Sequence, residues 1–93
     1  MNQYFGFSTY HREAHAHSLA QIILDHTTTT LGRKNRGIHQ KNFYVVKGTW
    51  TPSMLIECGF VPNPVEFEWL TDDAAQQKLM KTIAQAIVKY FSE

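Results

Sequence analysis

TPSMLIECGFVPNPVEF, residues 51–67, is an apolar stretch interrupted by an acidic side chain, Glu57. The run before that residue predicts a strand over residues 54–57, apolar on both faces up to its last position. Such strands usually lie in the centre of a sheet that helices cover on both sides. The prolines that follow forbid a longer strand, and Pro64 fits the first turn of a short helix that runs through Leu70.

The residues before this stretch predict a strand and a helix. Aromatic residues alternate with small or polar ones in YFGFSTY, which indicates a strand over residues 4–10. Apolar residues then recur at helical spacing and predict a helix over at least residues 18–26, with Ser18 and Gln21 as a capping box. Four threonines follow, so we expect the helix to fade through them towards a C-terminal cap at Gly32.

Three further elements complete the predicted order. RKNRGIHQKN, residues 33–42, is expected to be a polar loop, and FYVVK, residues 43–47, a short strand. Asp72 and Asp73 favour the start of a final helix. One apolar stripe follows along it, formed by Leu79, Ile83, Ala86, Ile87 and Tyr90.

The predicted order β-α-β-β-α-α indicates a single α/β domain, residues 1–93, with a mixed or parallel sheet flanked by helices. Three strands, one of them looking fully buried, need neighbours on both sides that this chain hardly supplies. The sequence is therefore expected to be a partial domain.

Composition excludes several classes of function. Nine basic and eight acidic residues give a net charge of +1, so an electrostatic grip on nucleic acid is not expected. The single cysteine, Cys58, excludes an internal disulfide framework. No segment approaches the roughly 20 apolar residues that span a bilayer, and the N-terminal residues are not expected to form a signal peptide.

Glu57 is the candidate functional residue. As the last residue of its strand it is expected at a crevice of the sheet, where ligands of open α/β sheets bind. A half-buried carboxylate in such a place is suited to proton transfer. The alternative is that Glu57 pairs with a lysine or arginine, or caps the following turn.

NFYVVKGTWTPSMLIECGFVPNPVEFEWL, residues 42–70, resembles the zinc-dependent N-acetylmuramoyl-L-alanine amidases of the amidase 3 type. In that family a strand precedes a proline and then an apolar Glu-x-Gly-Phe block. The positions that match are Asn42, Tyr44, Val45, Pro52, Leu55, Glu57, Gly59, Phe60 and Asn63. Arg36–Gly37 lies upstream at the family's spacing, and the likeness covers essentially the whole chain.

The resemblance implies cleavage of the amide between N-acetylmuramic acid and L-alanine of peptidoglycan by a zinc-bound water. It implies that Glu57 is the catalytic acid/base, and that Arg36 and Asn63 contact substrate or brace their loops. The family's zinc ligands come from the first half of its domain, to which nothing here corresponds. We therefore assign no metal ligand in this chain, and expect these residues alone to be the inactive C-terminal half of a catalytic domain.

Histidines in HREAHAH offer an alternative metal site at His11, His15 and His17. On a helix, His11 and His15 share a face, a spacing that zinc sites often use. On an extended chain, His15 and His17 point the same way instead. Exposed loop histidines are the simpler expectation.

Three hypotheses follow from the sequence. The first is an enzyme part that acts in the cell envelope, the periplasm or cell wall, or in phage lysis. The second is a non-catalytic module that binds wall fragments or a protein partner. The protein partner is expected to be a second copy of the chain or the missing N-terminal half. The third is a small metalloprotein built on the three histidines.

Overall fold

The computed structural model describes residues 5–41, 52–60 and 62–92. Their elements, in chain order, are β1 (Phe7–His11), one 3-10 turn (Ala14–Ala16), α1 (His17–Leu31), β2 (Asn35–Gln40), β3 (Leu55–Glu57), α2 (Pro64–Leu70) and α3 (Asp73–Phe91). The predicted strand over residues 43–47 lies outside the described residues.

The described strands form one mixed sheet in the order β2-β1-β3. β1 pairs in parallel with β2 and antiparallel with β3. The predicted α/β class, a mixed sheet flanked by helices, is confirmed. Among the described strands β1 lies in the middle, and the side chains of β3 are half-buried. The central position predicted for residues 54–57 stays a prediction, because the predicted strand over residues 43–47 lies outside the described residues.

β2 replaces part of the loop predicted over residues 33–42. Its side chains are polar except for Ile38 and show no apolar alternation, but backbone pairing with β1 holds the segment extended. The register gains one residue between the Phe7–Asn35 pair and the Thr9–Ile38 pair. Gly37, at φ +94°, supplies the left-handed backbone that this bulge needs.

α1 continues through the threonines instead of fading. Thr27 and Thr28 are buried, and the Thr28 hydroxyl donates to the Leu24 carbonyl oxygen at 2.8 Å. Both side chains pack into the core, and the Thr28 hydroxyl is hydrogen-bonded within the helix. The predicted cap at Gly32 is confirmed, since its φ is +64° and its N–H donates to the Thr28 carbonyl oxygen.

The start of α1 differs from the predicted capping box. The helix begins at His17, and its N-cap residue, Ala16, offers no side-chain hydrogen bond. Gln21 instead donates to Asp25 Oδ1 at 2.9 Å, one turn further along the helix. The preceding 3-10 turn leads the chain into α1, which leaves Ser18 exposed inside the first turn.

The core lies where α1 meets the sheet on one side and α3 on the other. Its fully buried apolar side chains are Phe7, Leu19, Ile23, Leu24, Leu79 and Ala86. The predicted stripe of α3 is confirmed except at Ile87, which is 37% exposed. Asp72 caps this helix as expected, with Oδ2 accepting from the Ala75 N–H at 2.8 Å. No helix of the described ranges is long and apolar enough to span a bilayer.

Gly6 is the glycine whose replacement is expected to cost most. Its φ is +112°, and a Cβ would lie 2.6 Å from the Lys34 carbonyl oxygen. We expect Gly6→Ala to lower the free energy of unfolding by about 1–3 kcal/mol from backbone strain alone, with the clash added. Urea denaturation followed by circular dichroism measures this loss.

Gly32→Ala is the matched control for Gly6→Ala. The φ of Gly32 is also positive, at +64°, but a Cβ at this position would meet no atom within 4 Å. Strain alone then predicts a loss of about 1–2 kcal/mol. An equal or greater loss at Gly32 would contradict the close contact with Lys34.

Candidate functional site

The alternation of β1 separates the two faces of the sheet. Thr9 faces α1, where its hydroxyl donates to the Ala20 carbonyl oxygen at 3.2 Å. Ser8 and Tyr10 therefore share the opposite face. Glu57 is directly opposite Ser8 in the antiparallel pair, and Leu55 is opposite Tyr10. The Glu57 side chain thus lies on the face away from α1.

Glu57 lies at the start of β1 rather than at the shared carboxyl end of the parallel strands. It ends β3 as predicted, but β3 runs antiparallel to β1. The parallel strands β1 and β2 end at His11 and Gln40, which lie at the other end of the strands from Glu57. The rule that ligands bind at the carboxyl ends of parallel strands therefore does not explain the position of Glu57. Its position follows from the antiparallel direction of β3.

Tyr10 lies diagonally across from Glu57 on the same face of the sheet. Burial raises the pKa of the Tyr10 phenol above its ordinary value of 10.0, and the Glu57 side chain raises it further. The Ser8 side chain and the positive charge of Arg36 lower it. The contribution of the neutral phenol to stability is thus complete below about pH 10 and lost as the pH rises through the folded-state pKa.

β2 adds an imidazole and a guanidinium to this face. The His39 ring stacks on Tyr10, with 4.7 Å between ring centroids. His39 Nε2 lies 3.1 Å from the Arg36 carbonyl oxygen, which only accepts, so this nitrogen carries the proton. The Arg36 guanidinium lies 5.0 Å from the centre of the Phe60 ring. We call Ser8, Tyr10, Arg36, His39 and Glu57 the Glu57 cluster.

Sequence reasoning nominated two members of the Glu57 cluster and missed three. Glu57 and Arg36 were predicted, and the structure brings both near Tyr10. Ser8, Tyr10 and His39 were not nominated. The alternation in YFGFSTY already placed Ser8 and Tyr10 on one face, but only the antiparallel register shows that this face is that of Glu57.

A buried ion pair supports the segment that follows Glu57. Arg33 pairs with Glu66, which is 1% exposed, and the Gly6 N–H donates to Glu66 Oε1 at 2.6 Å. The Arg33 guanidinium lies 4.3 Å from the centre of the Trp69 ring. A Cβ on Gly59 would lie 3.2 Å from Glu66 Oε1. The pair therefore joins the start of β1, α2 and the turn after β3.

Cys58 is poorly suited to nucleophilic chemistry. Burial raises the pKa of its thiol, and the nearby charge of Arg33 only partly opposes this. The thiol thus stays protonated at neutral pH, whereas the thiolate is the reactive form.

Asn63 serves as the N-cap of α2. Its Oδ1 accepts from the Val65 N–H at 3.0 Å and the Glu66 N–H at 3.3 Å, and the side chain is buried. This contact agrees with one of the two alternatives given from the sequence, in which Asn63 stabilises its own loop. Its contact with substrate stays a prediction.

Loss of this cap has a defined expected cost. Asn63→Ala removes the acceptor for two backbone N–H groups, so we expect the free energy of unfolding to fall by about 1–2 kcal/mol. Asn63→Asp, which keeps the oxygen, is expected to retain most of it. Thermal or urea unfolding measures both variants, and equal losses would contradict a capping role.

The histidines do not form the predicted alternative site. His11 is buried, contrary to the expectation of exposed loop histidines, because it ends β1 beneath the turn into α1. Its Nδ1 lies 3.0 Å from the Glu13 carbonyl oxygen and its Nε2 lies 3.2 Å from His17 Nδ1. His15 is exposed. Within the described ranges no three His, Cys, Asp or Glu residues are grouped to hold a metal ion.

One concavity of the described residues does not include Glu57 in its lining. It is lined by Val65, Glu68, Trp69 and Asp72, on α2 and at the start of α3. Trp69 is half-buried against the core, in line with an anchoring role. The Glu57 cluster is instead a group of polar side chains on a sheet face.

The fold and the Glu57 cluster together define an α/β domain that presents one carboxylate beside a phenol and a guanidinium. Over residues 1–89 the sequence matches the N-acetylmuramoyl-L-alanine amidase family, amidase 3 type, and the chain belongs to this family. The resemblance carried by the Glu-x-Gly-Phe block is confirmed.

Two sequence relatives cover most of this chain. A probable cell wall amidase LytH of Staphylococcus epidermidis is 29% identical over 87 residues, which are 94% of this chain and 30% of that protein. The uncharacterized protein YqiI of Bacillus subtilis is 31% identical over 75 residues, which are 81% of this chain and 36% of that protein.

Two solved structures share the fold. An N-acetylmuramoyl-L-alanine amidase from Clostridium difficile 630 superimposes with a TM-score of 0.93 at 28% identity, covering 100% of this chain and 52% of that one. The CwlD amidase from Clostridioides difficile, solved in complex with the GerS lipoprotein, gives 0.92 at 30% identity, covering 99% and 49%. The chain thus spans about half the length of these structures.

Proposed function

We propose that these 93 residues are the C-terminal half of the catalytic domain of a peptidoglycan hydrolase. The enzyme cleaves the amide between N-acetylmuramic acid and L-alanine, and Glu57 is its acid/base. The single observation that carries this proposal is the place of Glu57, at the end of β3 on the face of the sheet that it shares with Tyr10. Membership of the amidase family supplies the substrate class.

Glu57 handles protons in the proposed reaction. The carboxylate accepts a proton from the attacking water while the water oxygen bonds to the amide carbon. It then delivers a proton to the leaving nitrogen of L-alanine as the C–N bond breaks. The products are the free lactyl carboxyl group of the muramic acid and the free amino group of the peptide.

Arg36 is the proposed substrate contact of the Glu57 cluster. It is half-buried and lies close enough to Tyr10 for its positive charge to act on the phenol. A guanidinium there can hold a carboxylate or carbonyl oxygen of a muramyl peptide. Asn63 is the weaker candidate, since its side-chain oxygen already accepts two backbone hydrogen bonds.

Zinc, the family's metal, does not fit the residues described here. Among residues 5–41, 52–60 and 62–92 no three His, Cys, Asp or Glu side chains are grouped to hold a metal ion. We propose that zinc belongs to the complete domain and that its ligands are not in this chain. No part of the role given to Glu57 depends on where those ligands lie.

The proposed place of action is the cell envelope, the periplasm or cell wall, or a phage lysis product. The name of the LytH relative, a cell wall amidase, supports an envelope enzyme. The CwlD structure contains a lipoprotein, so an amidase of this fold can bind a protein partner. A partner of this chain, whether a second copy or another protein, remains a proposal.

The decisive experiment is digestion of purified peptidoglycan with the full-length gene product that contains these residues. We expect new L-alanine amino groups, detected by labelling and mass spectrometry, without new reducing sugar ends. Reducing ends without free L-alanine amines would overturn the amidase assignment in favour of a glycosidase.

A second candidate function is a non-catalytic module that binds wall fragments. The dispersed ligand-type side chains of the described segments favour it. It predicts that the full-length protein sediments with insoluble peptidoglycan, releases no amines and shows no stoichiometric zinc.

A further inference from the structure

The bulge in β2 decides which of its side chains reach the face of the sheet that points away from α1. β2 carries one extra residue between its pairs with Phe7 and Thr9. Arg36 and Gly37 therefore both lie opposite Ser8, whose side chain points away from α1. In a regular strand only one of these two positions would share the face of Ser8.

Two further basic side chains, His39 and Lys41, follow on the same face. His39 is the partner of Tyr10 in the parallel register, and the two rings stack with 4.7 Å between their centroids. Lys41 lies two positions beyond His39, and its Nζ is 5.9 Å from the centre of the Tyr10 ring. Arg36 and His39 are three positions apart, so a strand without the bulge would place them on opposite faces. The bulge therefore brings Arg36, His39 and Lys41 onto one face, and we call them the β2 row.

Each member of the β2 row is held by a contact. His39 Nε2 lies 3.1 Å from the Arg36 carbonyl oxygen, which closes the bulge. A Cβ on Gly6 would lie 3.1 Å from Arg36 Cγ, so the missing side chain makes room for the arginine. The Lys41 N–H donates to the His11 carbonyl oxygen at 2.8 Å, which extends the pairing with β1 past the end of β2.

The β2 row lies beside a single acidic residue of the sheet. Glu57 is the only acidic residue within the described strands β1, β2 and β3. It lies opposite Ser8, and Tyr10 follows about 7 Å further along β1. A peptide whose scissile amide lies at Glu57 and which extends along β1 would bring its next residues over Tyr10 and towards Lys41. Residues of an extended peptide are about 3.5 Å apart, so this distance corresponds to about two residues.

We propose that Lys41 determines substrate specificity by binding a carboxylate of the stem peptide beyond L-alanine, over the stacked rings of Tyr10 and His39. This inference rests on the proposed function, because it takes the amide at Glu57 as the bond that is cleaved. An ammonium group favours a carboxylate over the corresponding carboxamide, because only the carboxylate is charged. Arg36 remains the proposed contact nearer to the scissile amide.

The test compares two soluble muramyl peptides that differ only in a carboxylate or a carboxamide on the residue after L-alanine. With the full-length gene product we expect kcat/KM to be about two- to fivefold higher for the carboxylate, the size of one exposed ion pair. Lys41→Gln should reduce this ratio to about one, because the charge that distinguishes the two peptides is gone. Lys89→Gln, the same change at an exposed position of α3, should keep the wild-type ratio.

Binding to the Glu57→Gln protein gives the same comparison without turnover. Calorimetric titration is expected to show tighter binding of the carboxylate peptide than of the carboxamide peptide. The difference should shrink as NaCl is added, because salt screens exposed charges. Lys41→Gln introduced into the Glu57→Gln protein should abolish the difference.

The outcomes separate this inference from the proposed function. If the wild type cleaves neither peptide, or Glu57→Gln cleaves them at the wild-type rate, the proposed function fails and the inference fails with it. If Glu57→Gln is inactive but the wild type treats both peptides alike, or Lys41→Gln keeps the preference, the proposed function stands and the role of Lys41 is overturned. A preference that Lys89→Gln also loses would indicate an effect of net charge and would overturn that role as well.

Discussion

Glu57→Gln in the full-length protein is expected to lower the rate of amide hydrolysis by about 10²- to 10⁴-fold, the usual contribution of a positioned acid/base. Glutamine has nearly the shape of glutamate but cannot take up and release a proton. It keeps the size of the side chain at a half-buried position, so the fold of the cluster should persist. Release of L-alanine amines from a soluble muramyl peptide measures the loss.

Two comparisons make the Glu57→Gln result specific. Glu68→Gln makes the same chemical change at an exposed position of α2 and should retain full activity. Circular dichroism and thermal unfolding of Glu57→Gln should match the wild type, which excludes loss through misfolding. Wild-type turnover by a folded Glu57→Gln protein would reject the acid/base role.

Glu66→Gln is expected to lower the free energy of unfolding by about 3 kcal/mol, at the lower end of the range for a broken buried pair. The change leaves the Arg33 charge without a partner where its side chain is only 12% exposed. The amide oxygen can still accept from the Gly6 N–H, and Trp69 still covers the guanidinium. Since domains have only about 5–15 kcal/mol to lose, the effect is large.

A double-mutant cycle tests whether the pair causes this loss. Arg33→Gln and Glu66→Gln are compared singly and together by urea denaturation. We expect the double variant to lose less than the sum of the single losses, because it no longer carries a lone buried charge. The exposed control, Glu68→Gln, should change stability by no more than about 0.5 kcal/mol. Additive losses would show that the two side chains act independently.

The elements with strong local signals were predictable from the sequence. The stop at Gly32, the proline start of α2 and the aspartate cap of α3 each depend on a few neighbouring residues. β2 was not predictable in this way. Its mostly polar side chains give no alternation, and it is extended because its backbone bonds to β1, nearly 30 positions earlier.

The candidate site shows the same division. The position of Glu57 at a strand end follows from the apolar run before it and the prolines after it. Its place on the same face as Tyr10 depends on β3 running against β1, a choice of strand direction that no local pattern specifies. The Arg33–Glu66 pair joins side chains 33 positions apart, and neither side chain carries a local signal of burial.

The hydrogen bond from Gly6 to Glu66 spans 60 positions, so the start of β1 and α2 must meet before it can form. Closing so long a loop costs entropy that is recovered only when strand and helix dock together. Contacts of this kind slow folding and make it cooperative. A shortened chain that lacks α2 and α3 should therefore not retain a folded remnant. Engineering of this domain has to begin from the intact polypeptide.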